Sequence, residues 1–223
     1  MPRNVATAVD PPRVHREEIQ PLSPIQARAF LQAAQEDRLE ALYVLAIHCG
    51  LRQGELLGLH WEDIDLEAGT LQVRRTLTAA KGDRVFTAPK TVKSRRNLRL
   101  TAGAIDALRG HYQRQLKERE RLAGLWQDQG LIFASEVGTP MNRHNLLNRS
   151  FKPLLRRAGL PHSVRFHDLR HTCATLLLGM GVHPKVVQEL LGHSNVSITL
   201  DTYSHVLPSM GDQAASAMDD TLS

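Results

Sequence analysis

Three polar clusters interrupt otherwise apolar stretches of this 223-residue sequence. In CGLRQGELLGLHW, Arg52 and Glu55 stand three apart between Leu51 and the Leu56-Leu57 pair. Charged groups in such a setting need a partner or a ligand, and the plain alternative is an Arg52–Glu55 ion pair on a helix face. The second cluster is Arg165-Phe166-His167-Asp168-Leu169-Arg170-His171. On a helix His167 and Arg170 share a face, while Leu169, Cys173, Leu176 and Leu177 turn to the core. The third is Leu190-Leu191-Gly192-His193-Ser194, followed ten residues after the histidine by Tyr203, one of only three tyrosines. Alone, Tyr203 would read as a core side chain. Together the clusters supply two arginines, two or three histidines and a phenol. A guanidinium fork matches two non-bridging phosphate oxygens and keeps its proton. Two of them can therefore bind a phosphodiester and stabilise the added charge of its pentavalent transition state. The phenol is then available as the nucleophile.

Two other chemistries compete for the same residues. His167 and His171 are four apart, as in the H-E-x-x-H zinc signature, but HDLRH lacks its glutamate and places Arg170 between the would-be ligands. No third ligand follows at a familiar spacing, so a zinc site is not expected. The segment 184–203, with Gly192 as its turn, also has the outline of a helix-turn-helix, which would make it a DNA reader without chemistry. Cys49 and Cys173 each lie inside an apolar helical pattern. That excludes a disulfide framework and a cysteine zinc site, and it favours a reducing compartment.

The elements that must position these residues follow from periodicity. Ser23-Pro24-Ile25-Gln26 is a capping box with proline at the first helical position, opening a helix to about Gln35. Apolar residues at 41, 42, 45, 46 and 49 make 38–50 a core helix closed by Gly50. Between Trp61 and Leu100 the pattern turns β-like, with runs at 70–78, 84–87 and 95–100 that predict a small three-stranded antiparallel sheet. Thr101 caps a long helix with Ile105, Leu108, Tyr112 and Leu116 on one face. Helices near 142–158, 167–180, 184–191 and 195–204 complete the chain, punctuated by Gly159, Gly181 and Gly192. The fold class is α+β and mainly helical. Residues 1–21, with prolines at 2, 11, 12 and 21, read as a linker, 22–207 as one domain, and 208–223 as a polar tail whose last dozen residues are expected to be disordered.

Composition narrows the partners. The net charge is only +5, yet residues 81–121 hold twelve Lys/Arg against four Asp/Glu, and 143–170 hold seven against one, leaving the rest of the chain acidic. Such segregation is suited to a polyanion, although a helix such as 109–121 could carry its charges simply to solvate its outer face. No apolar run approaches the length of a bilayer span and the amino terminus lacks an apolar signal region, so a cytoplasmic protein without membrane contact is expected.

The chain resembles the catalytic domain of the tyrosine recombinase, or phage integrase, family. The resemblance rests on five motifs in order: Gly50-Leu51-Arg52-Gln53-Gly54-Glu55, Pro89-Lys90-Thr91, His167-Asp168-Leu169-Arg170, Leu191-Gly192-His193 and Asp201-Thr202-Tyr203. It covers about residues 22–207. Singly each motif is weak; five at compatible spacings are specific.

By this resemblance the fold is the tyrosine recombinase catalytic-domain fold. Tyr203 attacks a phosphodiester of double-stranded DNA, giving a 3′-phosphotyrosyl bond and a free 5′-hydroxyl, and the bond is resealed on a partner strand without ATP, cofactor or metal. Arg52 and Arg170 clamp the phosphate, His193 adds a hydrogen bond, and His167 takes the tyrosine proton. Lys90 protonates the leaving oxygen, with Lys93 as the other reading, and Glu55 supports Arg52. The resemblance also implies a phage or mobile-element integrase, active as a homotetramer on DNA and expected as a monomer without it, with residues 206–223 exchanged between neighbours. The first residues then look like the end of an upstream DNA-binding domain. A non-catalytic DNA-binding remnant and a topoisomerase of the same tyrosine chemistry are the alternatives.

Overall fold

The computed structural model describes residues 19–80, 83–88, 95–203 and 218–222. Helix α1 (Pro24–Ala34) begins as the sequence predicts. The Ser23 hydroxyl accepts from the Gln26 amide at 3.2 Å, and the Gln26 side chain accepts from the Ser23 amide at 2.9 Å. Helix α2 (Glu40–His48) is buried on every face from Ala41 to Ile47, so it forms the centre of the core rather than one wall of it. α1 and the later helices over 102–122 and 168–179 pack around it. Tyr43 meets Phe30 edge-on at 5.4 Å and stacks with Phe151 at 6.2 Å. Cys49 and Cys173 are free and buried, and burial pushes both thiols up to about 12.

The β region is organised differently from the prediction. The run 70–78 is two strands, β2 (Thr70–Val73) and β3 (Thr76–Ala80), separated at Arg74-Arg75. The three-stranded antiparallel sheet is completed by β1 (Ile64–Asp65) and β5 (Arg96–Arg99) in the order β1-β2-β5, with Leu71 opposite Leu98. The predicted strand at 84–87 belongs instead to β4 (Asp83–Thr87), which pairs with β3 as a separate hairpin. Arg74 and Arg75 both turn to Asp63, at 3.7 and 3.2 Å, and this shared anchor marks the break.

Helix α4 (Ala102–Leu122) is capped by Thr101, as expected, but its buried face is offset by one residue from the predicted one. Ala104, Leu108, His111 and Gln115 face inward, while Tyr112 is 39% exposed. The two polar residues earn that place through hydrogen bonds: His111 Nε2 donates to the Ile132 carbonyl at 2.7 Å, and Gln115 Nε2 donates to Leu131 and Ile132 at 3.0 Å.

The predicted helix at 142–158 is α5 (Arg143–Asn145) and α6 (Lys152–Arg157) joined by a π-helical stretch, Leu146–Phe151. The widened turns lie just before Pro153, whose ring would collide with the Arg149 carbonyl of a regular helix. Helices α7 (Asp168–Gly179), α8 (Pro184–Leu191) and α9 (Val196–Tyr203) close the domain near their predicted positions. Of the expected tail, residues 218–222 are helical, with Met218 and Leu222 exposed. Among the described residues no helix is long and apolar enough to cross a membrane.

Candidate active site

Gly50 makes the first turn of the site. It has φ +59°, and a Cβ there would stand 2.5 Å from Leu191 Cδ2. The left-handed glycine ends the α2 connection and delivers Arg52 as the N-cap of α3 (Gln53–Leu57). Arg52 Nη1 lies 2.7 Å from Glu55 Oε1, so the plain ion pair exists, and Nη2 also reaches the Gly192 carbonyl at 3.5 Å. Glu55 is 3% exposed and receives a second guanidinium, Arg96, at 3.0 Å. Burial alone would raise the Glu55 pKa, but hydrogen bonds and charge from Arg96, then from Arg52, hold it below the usual carboxylate range.

Arg96 is the residue that sequence reasoning missed. It sits in a basic run and read as part of a phosphate-tracking surface. Strand alternation was the available signal, because Arg96 shares the face of buried Leu98 while Asn97 and Arg99 point outward.

Arg170, on the first turn of α7, is 3% exposed. Its Nη1 donates to the Gly50 carbonyl at 2.6 Å and its Nη2 to the Leu191 carbonyl at 2.8 Å. Burial, then the charge of Arg52, pushes it down to about 9, which leaves it cationic at neutral pH. Asp168 fixes the start of the helix by accepting from the Arg165 amide at 2.8 Å and pairing with the Arg165 guanidinium at 3.0 Å. The two site arginines thus contact one shell of carbonyls, Gly50 and Leu191 for Arg170 and Gly192 for Arg52.

Gly192, with φ +69°, is the left-handed cap of α8 and turns the chain so that His193 faces α9. His193 Nδ1 lies 2.9 Å from Thr199 Oγ1, a fully buried hydroxyl. With Thr199 as donor, the ring proton resides on Nε2, the nitrogen left to reach a ligand oxygen. Burial, followed by the charges of Arg170 and Arg52, pushes His193 down to about 3. It is a neutral hydrogen-bond donor at physiological pH.

Tyr203 lies one turn beyond Thr199 on α9. It is 1% exposed, packed among Ala174, Leu178, Val187 and Leu191, and burial pushes its phenol up to about 12. Its hydroxyl meets His171 Nδ1 at 2.6 Å. His167 sits edge-to-face against His171, with ring centroids 4.8 Å apart. Burial and Arg170 hold its pKa below the ordinary histidine value. Both imidazoles line a cavity of ≈ 780 Å³ whose wall also carries Arg143, Lys152 and Arg165. The fold therefore brings together Arg52, His167, Arg170, His193 and Tyr203 from five positions spread over the chain. Lys90, and Lys93 with it, lies outside the described residues. Among the described residues no three His, Cys, Asp or Glu side chains gather as a metal site would need.

The sequence profile of the phage integrase family matches residues 20–210. A tyrosine recombinase XerC-like protein of Caldanaerobacter subterraneus subsp. tengcongensis is 39% identical over 215 residues, covering 91% of this chain and 54% of that protein. The ICEBs1 integrase of Bacillus subtilis is 29% identical over 201 residues, covering 89% of this chain and 54% of that protein. Among solved structures, the Tn1549 transposon integrase in complex with circular intermediate DNA superposes with a TM-score of 0.75 at 26% identity, over 98% of this chain and 71% of that one. The catalytic domain of bacteriophage HP1 integrase shares the fold, with a TM-score of 0.58 at 20% identity, over 89% of this chain and 95% of that one. The chain spans about half the length of the curated relatives it matches.

Proposed function

The chain belongs to the phage integrase family, and on that footing we propose that it is the catalytic portion of a site-specific recombinase that cuts and rejoins double-stranded DNA through a 3′-phosphotyrosyl intermediate. The observation that carries this reading is the carbonyl shell of Gly50, Leu191 and Gly192. Gly50 and Leu191 hold Arg170, Arg52 reaches Gly192, the residue before His193, and Tyr203 is on the helix whose Thr199 bonds His193.

In the proposed reaction the two arginines grip the non-bridging oxygens of one phosphate and stabilise the charge that grows on them. His193 Nε2–H adds a third donor. The Tyr203 oxygen attacks phosphorus in line, the bond to the 5′ oxygen breaks, and Lys90, on the segment after β4, protonates that oxygen. One phosphodiester replaces another, so the step is nearly balanced in energy and reverses on a partner strand without ATP. Strand exchange calls for four copies on DNA, with residues 206–223 as the segment passed between neighbours. Residues 1–21 would serve as a linker to the catalytic unit.

The test is covalent capture. The chain is incubated with nicked duplexes carrying a randomised central segment, denatured, and resolved for protein-linked strands, which are then sequenced. An adduct in the wild type that disappears in Tyr203→Phe, with DNA retention unchanged, is the expected result. Retention without adduct in the wild type would favour a non-catalytic DNA-binding remnant, and relaxation of supercoils at sites without sequence preference would favour a topoisomerase.

A further inference from the structure

The recombinase reading leaves the tyrosine proton with His167, yet the group against the hydroxyl is another one. His171 Nδ1 lies 2.6 Å from Tyr203 Oη, a distance typical of a strong hydrogen bond. The two rings are 5.7 Å apart and tilted by 57°. His171 is one helical turn beyond His167 on α7, and the His167 ring meets it edge-to-face. Resting on the recombinase reading of the site, we propose that His171 is a second catalytic histidine, which orients the Tyr203 hydroxyl and takes its proton as the tyrosine oxygen bonds to phosphorus.

The proton inventory agrees with this assignment. A phenol raised to about 12 keeps its hydrogen in the resting site, and a ring lowered to about 4, chiefly by burial and then by His167, is neutral there. Tyr203 therefore donates, His171 Nδ1 accepts, and the ring proton of His171 is on Nε2. In the reaction the Oη–P bond forms as the P–O5′ bond breaks, and the Oη–H proton moves to Nδ1, leaving an imidazolium. Religation returns that proton to the tyrosine. As the Oη–P bond forms, the acidity of the phenol rises steeply, so a weak base suffices at the transition state. The anionic phosphate next to the ring also favours the imidazolium.

The groups that face His171 fix the sign of its titration. On its own helix these are His167, Asp168 and Arg170, before the helix Arg165, after α8 the neutral His193, and on α9 Tyr203 itself. Arg143, Lys152 and His162 line the same cavity from the α5–α6 side. That surround is cationic apart from Asp168, so it holds the ring neutral until the phosphate enters. The cavity also gives the imidazolium contact with solvent between cleavage and religation.

Single-turnover adduct formation on the nicked duplex pool tests the assignment, with the full chain as wild type, His171→Ala, His171→Gln and His167→Ala, and with pool retention measured in parallel. In His171→Ala the adduct rate should fall by about 100-fold or more, the range for loss of general-base catalysis, with retention unchanged. Exogenous imidazole should restore part of it, increasingly so for more basic imidazoles. His171→Gln keeps a hydrogen-bond acceptor but no base. It should be equally slow and should lose the acid limb of the wild-type pH–rate profile, and it answers the question if His171→Ala fails to fold. His167→Ala should keep that limb. An undiminished rate in the His171 variants, or a loss that imidazole does not restore with an unchanged pH profile, overturns the role of His171 alone. A wild type without adduct overturns the recombinase reading and this inference with it.

Discussion

Arg96, on β5, lays its guanidinium along the carboxylate of Glu55, Nη1 3.2 Å from Oε1 and Nη2 3.0 Å from Oε2, while its Nε donates to the Leu190 carbonyl at 2.7 Å. One side chain thus ties three parts of the site: the sheet edge, the α3 turn that carries Arg52, and the end of α8 that carries Gly192 and His193. It also lies two residues after the segment 89–94 that bears Lys90. Glu55 is shared, with Arg52 on one side and Arg96 on the other.

Arg96→Met should therefore act on both stability and chemistry. It leaves the buried Glu55 with one guanidinium in place of two and removes the fork that sets the carboxylate angle. The expected cost is about 3 kcal/mol, the low end for breaking a buried pair, because Arg52 still compensates the charge. Arg96→Lys keeps the charge but cannot bridge both oxygens and Leu190 together, so it should recover stability more than adduct rate. Denaturant unfolding and adduct kinetics on the two variants decide this. Equal recovery of both by lysine would mean that charge alone matters at this position.

Thr199→Val keeps the shape of a buried residue and removes the hydroxyl that bonds His193 Nδ1. The ring then loses the bond that fixes its tautomer, and the fraction with Nε2–H available falls. Adduct formation should drop by about tenfold, equivalent to ~1.4 kcal/mol, close to the net worth of one hydrogen bond, with Thr199→Ser restoring it. A valine variant at the wild-type rate would remove Thr199 from the site.

Gly50→Ala and Gly192→Ala test the two left-handed turns. Both force an alanine to positive φ, at about 1–2 kcal/mol each. Their surroundings differ. The new Cβ at Gly50 would stand 2.5 Å from Leu191 Cδ2 and 3.2 Å from Cys173 Sγ, whereas at Gly192 it would stand 3.0 Å from the Arg96 Nη1 tip. Gly50→Ala should therefore lower the melting temperature more, and it should also displace the carbonyl that Arg170 uses. Equal melting temperatures in the two variants would contradict this ranking.

Much of this architecture was legible in residue types, for a physical reason. Caps at Ser23 and Thr101, glycine stops at Gly50 and Gly192, and the helices α7 to α9 are set by local chemistry, and the structure places them close to the expected positions. The arginines at 52 and 170 stood out because each occupies an apolar stretch. What did not show was set by long-range pairing. β-runs carry no record of their partners, so the run at 84–87 was placed in the sheet it only borders. The buried face of α4 is fixed by carbonyls of Leu131 and Ile132, far along the chain, and not by its own apolar period. His171 likewise stood in view as a near-zinc spacing, while its contact with Tyr203 spans 32 residues and two helices.

Acid should destabilise the fold in two stages. His111, His167, His171 and His193 all have pKa values held below the ordinary histidine value, by burial first in every case. The unfolded chain then binds protons that the folded chain refuses. Stability is complete above the unfolded histidine value of about 6.5 and declines as pH falls below it, towards the folded values, about 4 for His171 and about 3 for His193. Glu55 adds a second loss lower down, since its depressed pKa contributes stability that disappears as pH falls below about 4.5. The melting temperature should hold level down to about pH 6.5, fall from there to pH 5, and fall more steeply below. A flat profile between 7.5 and 5 would show that these histidines titrate in the folded protein as they do in the unfolded chain.

Chelation separates side-chain from metal stabilisation of the same transition state. In metal-dependent phosphoryl transfer, divalent ions neutralise the equatorial oxygens; in the proposed reaction Arg52, Arg170 and the neutral His193 donor take that part, and the arginines cannot discharge at neutral pH. Adduct formation in EDTA should stay within about twofold of its rate in magnesium, a change small against the loss expected where a metal activates the reaction. Binding supplies the counter-check. Magnesium competes with protein cations for phosphate oxygens, so removing it at fixed low salt should tighten retention of the duplex pool, and raising sodium should weaken it steeply. Abolition of the adduct by EDTA while retention tightens would assign the missing charge to an ion and withdraw it from the two arginines.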